Sequence, residues 1–266
     1  MKKLNQFITE KFRISKDNLS PDYNYFPEQT FELKKLIREL LKERGKNANL
    51  NDIDVSKITN MNLLFYGLDP HNIDISLWDV SNVTTMDSMF SNCTSFNSDL
   101  SGWDVSNVTN MRALFSHCSK FDSDLSGWDV SNVTNMGMMF YGSSFEGKCL
   151  ENWDVSKVTL MNSMFAHDKT LNADLSKWNV SNVKNMRTMF YNCRSFDCDL
   201  SNWDVSKVKD MEAMFANCMT AIDNGSFKSL DKWHISQVPS SKLNGAFGNI
   251  LFLNADQKKQ LPIWAK

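Results

Sequence analysis

Six tryptophans, Trp78, Trp103, Trp128, Trp153, Trp178 and Trp203, recur at a strict interval of 25 residues. Each opens a near-copy of one phrase, such as WDVSNVTNMRALFSHCSKFDSDLSG from Trp103 to Gly127. This constrains the fold more than any other feature. A unit so short cannot bury an apolar face alone and must stack on its neighbours. The chain is therefore expected to form an α/β solenoid of about eight coils, one elongated body rather than two globules.

Counting from each Trp as zero, the recurrent apolar positions are Val at 2 and 5, Met at 8 and usually 11, and Phe at 12. Phe at 18 and Leu at 22 complete the set. In one unit these are Trp103, Val105, Val108, Met111, Leu114, Phe115, Phe121 and Leu125. Leu-x-x-Trp-x-Val alternates as a short strand would. Met-x-x-Leu-Phe has helical spacing, and Thr109 or Asn110 suits its cap. Each coil is thus expected to pair a strand with a short helix, the strands building a narrow parallel sheet.

The chain divides into an N-terminal helical capping region (1–50), a repeat body (51–248) and a C-terminal cap (249–266). Leu33, Leu36, Ile37, Leu40 and Leu41 predict an amphipathic helix, with Thr30 capping its start and Gly45 closing it. Its expected task is to cover the open end of the first coil. Leu4 to Phe12 reads as another short helix and Ser15 to Pro27 as loop. The first coil opens at Ile53 in place of Trp. After Trp203 the spacing lengthens through DNGSF (Asp223 to Phe227), and Trp233 opens a degraded eighth unit containing Pro239 and Gly245. Trp264 is expected to act as an apolar lid.

The polar rows are equally periodic. Asp79, Asp104, Asp129, Asp154 and Asp204 follow their Trp, with Asn179 in the sixth slot, and a Ser comes two residues later. Such pairs close Asx turns at a corner; a column of cation-binding carboxylates is the alternative. The Trp column reads as a buried aromatic ladder or as an exposed ligand platform. Cys93, Cys118, Cys193 and Cys218 share position 15, where Ser143 and Asp168 stand in the middle coils, as small buried packing residues would. Disulfides Cys93–Cys118 and Cys193–Cys218 are the competing reading, and no C-x-x-C pair points to metal.

Acidic residues (31) nearly balance basic ones (29), for a net charge of −2. No basic stripe suggests nucleic acid or an anionic membrane as partner. No apolar run approaches a membrane span, and polar residues interrupt the first twelve, so no signal peptide is read and a cytoplasmic location is expected. No nucleotide, zinc or nucleophile motif occurs among the sequence patterns. No catalytic residue, metal or cofactor is expected.

What varies between copies lies at positions 9, 13 and 14. Arg112, Arg187, His117, His167, Tyr141 and Tyr191 stand there and are the candidate binding residues. Varied side chains on a repeated scaffold can specify one protein partner, and exposed Tyr is a frequent anchor. The bland explanation, drift at solvent-facing sites, fits each residue singly.

The wording W-D-V-S-N-V-T-N-M-x-x-M-F, with C-x-x-F-x-x-D-L-S before the next Trp, resembles the 25-residue repeat of BspA-like leucine-rich-repeat surface proteins and mycoplasma-type lipoproteins. It covers about residues 50–248. LIRELLKERG followed by LNDIDVSKITNM is similar to the module preceding such repeats. The resemblance implies a leucine-rich-repeat-like, right-handed stack, a cell-surface or secreted location, and adhesion or binding of a host protein. It carries no catalytic residues.

Overall fold

The structure, a computed structural model, describes residues 23–243, 245–248 and 253–265. The helix expected at Leu4 to Phe12 lies outside them. The repeats do stack, but not as a strand and a helix per coil. Among the described residues there is no strand, and no helix interrupts 45–218; the coils are made of turns. The expectation of an α/β leucine-rich-repeat-like solenoid is overturned.

Backbone hydrogen bonds give the reason. Trp103 donates its amide to the Leu100 carbonyl and Val108 to that of Val105, at 3.1 and 2.9 Å. The apparent strand is two successive tight corners. Further along, Leu114 donates to Met111, Ser116 to Ala113 and Cys118 to Phe115, each closing a four-residue turn. A helix cannot run through this stretch, because position 10 is left-handed in the first seven coils: Leu63, Ser88, Ala113, Met138, Ser163, Thr188 and Ala213 have φ of 51–59°. None is glycine, and a left-handed L-residue costs about 1–2 kcal/mol. The left-handed twist turns that amide out of its own coil: Ala113 donates to the Gly137 carbonyl at 2.9 Å and Ser88 to that of Arg112 at 2.8 Å.

Amides at positions 8, 10, 12 and 14 thus reach forward to the next coil, as Met111, Ala113, Phe115 and His117 do to Asn135, Gly137, Met139 and Tyr141. The amide at position 6 reaches back, as from Thr109 to Thr84. Where a sheet was expected there are single-residue parallel bridges at position 7, from Asn60 through Thr85, Asn110, Asn135, Leu160 and Asn185 to Asp210.

Side chains lock the same register. Each indole donates to a carbonyl one coil back: Trp103 to Ile75 (3.0 Å), Trp128 to Leu100 (3.0 Å), Trp178 to Leu150 (2.9 Å) and Trp233 to Leu200 (2.9 Å). All seven of these column tryptophans, Trp78 to Trp233, are buried. Within the column, stacked pairs form at Trp78–Trp103, Trp203–Trp233 and Trp233–Trp264. The unbroken aromatic ladder is instead the Phe at position 12. Phe65, Phe90, Phe115, Phe140, Phe165, Phe190 and Phe215 succeed one another at 5.2–5.8 Å. Full burial of each such side chain contributes about 1.5–3 kcal/mol.

The N-terminal helix α1 (Thr30–Arg44) buries Leu33, Leu36, Ile37 and Leu40 in the core that also holds the first coil. Its N-cap is Gln29 rather than Thr30, whose hydroxyl donates instead to the Asn60 carbonyl at 2.6 Å. Gly45, at φ 84°, ends it as expected. The DNGSF insertion is taken up by a short helix (Met219–Asn224) and a 3-10 segment (Ser226–Lys232), returning Trp233 to the column. The degraded unit still continues the stack: Ala213 and Phe215 donate to the Gly245 and Ala246 carbonyls, both at 2.7 Å. Trp264 stacks on Trp233 at 6.3 Å and donates to Leu230.

Candidate functional site: an aromatic row across four coils

Four of the six candidate residues come together. The His117 and Tyr141 rings meet edge to face at 5.1 Å, Tyr141 and His167 at 5.4 Å, and His167 and Tyr191 at 5.0 Å. Imidazole and phenol alternate along four consecutive coils. His117 is exposed, and Tyr141, His167 and Tyr191 are half-buried.

Two backbone features build the row. Position 14 is the second left-handed site of each coil, with φ of 59–67° at Gly67, Asn92, His117, Gly142, His167, Asn192 and Asn217. Asn, His and Gly are the residue types that adopt this region most readily. Part of what reads as free variation at this position is therefore a conformational requirement. The left-handed turn also sends each imidazole toward the next coil. There Gly142 leaves room: a Cβ on it would stand 2.8 Å from Nδ1 of His117. The equivalent neighbour of His167 is Asn192, whose Nδ2 lies 3.3 Å from Nδ1 of His167. Gly142 and Asn192 seat the row and were missed from sequence, although the Gly/Asn/His pattern at position 14 carried the signal. Tyr66, exposed at position 13 of the first coil, shares the phase.

Arg112 and Arg187 do not join the row. They belong to the position-9 series, where each pairs with an acid one coil away: Arg112 with Asp87 at 3.4 Å, and Arg187 with Glu212, which Lys242 also contacts. Exposed pairs of this kind contribute about 0–1 kcal/mol, and here they tie coil to coil.

The Asp column forms its corner turns. The Ser two residues on donates its amide to the carboxylate at Asp104 (3.0 Å), Asp129 (3.0 Å), Asp154 (2.9 Å) and Asp204 (3.0 Å). A second column before the Trp does the same at Asp99, Asp124, Asp174 and Asp199. Hydrogen bonds from these serines hold all eight carboxyls below their ordinary range. Among the described residues no three His, Cys, Asp or Glu side chains gather into a metal-holding group.

All six cysteines are free. Those at position 15 donate Sγ to a buried carbonyl one coil back, as Cys118 does to Phe90 at 3.0 Å and Cys193 to Phe165 at 2.9 Å. Burial pushes the Cys93 thiol up to about 12 and that of Cys198 up to about 11. These are packing groups, poorly suited to thiolate chemistry. Asp168, fully buried in the same slot, accepts hydrogen bonds from Ser143 Oγ (2.8 Å) and the Phe145 amide (2.9 Å) on one oxygen. Its other oxygen accepts from the amides of Thr170 and Leu171 and the Thr170 hydroxyl. Phe145 arrives one residue early for its column, and Asp168 satisfies the amide this shift displaces. Burial still raises the Asp168 carboxyl.

The repeats that carry these rows also decide kinship. Matches to the family described as "Mycoplasma protein of unknown function, DUF285" cover residues 33–149, 111–227 and 142–259, together well over half of the chain. The chain belongs to this family. The DUF285 matches bear out the mycoplasma-type repeat resemblance, while the leucine-rich-repeat assignment gains nothing from them. No curated protein and no solved structure matches the chain. Among the described residues no helix is long and apolar enough to cross a membrane.

Proposed function

We propose that this protein is a non-enzymatic, protein-binding scaffold, and that it binds through the face carrying His117, Tyr141, His167 and Tyr191. The observation that carries the reading is the row itself: four aromatic side chains drawn from positions 13 and 14 of successive coils, standing in contact on a repetitive support. Tyr is enriched at the centres of protein interfaces, where it supplies contact area with little loss of conformational freedom. The absorption of catalytic residue types into structure points the same way, with cysteines packed, carboxylates capping turns and Asp168 closing a register shift.

The surface or adhesion-type role, with a host or cell-surface protein as partner, follows from the resemblance to surface-protein repeats and is proposed on that ground. The test is capture of partner proteins on immobilised protein from extracts and from intact-cell surfaces. The wild type is expected to retain partners that Tyr141→Ala/Tyr191→Ala, with an unchanged melting temperature, loses. Equal retention by both would remove the face from consideration.

A further inference from the structure

We infer that the aromatic row is a docking track for a peptide in the polyproline II conformation, lying along the stack axis. This rests on the scaffold reading above and names the class of partner it takes.

The argument is one of period. Tyr141 and Tyr191 flank His167 at 5.4 and 5.0 Å, so the phenols stand at most about 10 Å apart, against about 9.3 Å per turn of a polyproline II helix. Two residues three apart in such a peptide would meet the two phenols, and the His167 imidazole would fall between them. A β-strand repeats its side-chain face every ~6.8 Å, which fits neither one step of the row nor two. An α-helix, with its ~5.4 Å pitch, matches the step but needs an apolar groove to receive its face. The row is single-file and polar-tipped instead.

Hydrogen bonding favours the same occupant. A polyproline II segment has no internal hydrogen bonds, so its carbonyls are open to protein donors, whereas a helical backbone is already satisfied. The phenol hydroxyls of Tyr141 and Tyr191 and the imidazole of His117 have no hydrogen-bond partner among the described residues. Aromatic side chains with donors free beside them are what proline-rich ligands use elsewhere. The open cleft at Asp174, Asp197, Cys198 and Asp199 offers no such match.

The test is a titration of the full chain with a fluorescein-labelled dodecaproline, read by anisotropy. A Gly-Ser dodecamer and an amphipathic helical peptide of equal length serve as controls. Dodecaproline is expected to bind, the controls to bind at least about tenfold more weakly, and Tyr141→Ala/Tyr191→Ala to lose about tenfold or more. The imidazole NMR signals of the wild type provide a readout that needs no variant. Those of His117 and His167 should shift on adding dodecaproline, and those of His71 and His234 should not. Absence of binding at millimolar peptide, equal binding of a control, or shifts at His71 and His234 alone would overturn the inference. If proteins are still captured through the two tyrosines while dodecaproline fails, only the class of partner is wrong. If capture ignores the tyrosines, the scaffold face itself is wrong.

Discussion

Phe140→Ala should damage the stack at its centre. Phe140 is fully buried, stacked on Phe115 at 5.8 Å and Phe165 at 5.7 Å, with Phe145 at 4.4 Å and Trp153 at 6.5 Å. Truncating a core Phe costs about 3–5 kcal/mol, and the upper part of that range applies where the walls cannot collapse. Here both neighbouring coils are held apart by backbone bonds, Phe115 to Met139 and Phe140 to Met164, each 2.9 Å. About 4 kcal/mol is therefore expected, a large share of the 5–15 kcal/mol typical of a domain. Coils in such a stack touch only their neighbours, so the weakened junction should also uncouple the two halves. Urea unfolding followed by tryptophan fluorescence and by circular dichroism should give coincident single transitions for the wild type and separated ones for the variant. Phe31→Ala, at a side chain 69% exposed, should change stability by no more than about 0.5 kcal/mol. A loss below about 1.5 kcal/mol for Phe140→Ala, or one no larger than that of Phe31→Ala, would refute the view that the Phe ladder couples the coils.

The Asx columns predict acid sensitivity. Carboxyls held low in the folded state stabilise it above their unfolded pKa of about 3.9, and that contribution is lost as pH falls through the folded values. Melting temperature should fall steeply below pH 4, and less so for Asp104→Asn/Asp129→Asn/Asp154→Asn/Asp204→Asn. Asp168 runs the other way: its raised carboxyl favours the folded state below the unfolded pKa, an advantage lost as pH rises through the folded one. Asp168→Asn removes that dependence but replaces one acceptor oxygen with a donor beside the Phe145 amide. It should destabilise by about 1–3 kcal/mol at neutral pH in urea titrations. Cys149, the one thiol not buried, should react first with a chromogenic disulfide under native conditions, with the other five following the unfolding rate.

Much of the core was legible. Trp, Val, Met, Phe and Leu at their repeated positions are buried as the period requires, and the helix ending at Gly45 lies where its apolar spacing put it. The conformation between those positions was not. Trp-x-Val mimics strand alternation and Met-x-x-Met-Phe mimics a helical face, yet both stretches are folded into successive tight turns. The left-handed residues that force this at position 10 are Ser, Ala, Met and Thr as well as Leu. Those identities signal nothing of the kind, since backbone bonds to the next coil hold the conformation. At position 14 the Asn, His and Gly preference was visible, but it reads as surface variety unless the turn is known. Tyr141 and Tyr191 stand out in the sequence as candidates, whereas their contact with His117 and His167 needed the coil spacing and Gly142.

The indole-to-carbonyl link has a consequence for how such a chain changes in length. Every tryptophan holds an oxygen supplied by the coil before it, so removal or duplication of a whole unit leaves each donor with an equivalent acceptor. A partial unit would strand one. The segment between Cys218 and Trp233 shows how extra residues are tolerated, looped into a helix while the next indole reaches Leu200 as usual. The stack can therefore change its reach in quanta of one coil, each bringing its own indole and the oxygen for the next.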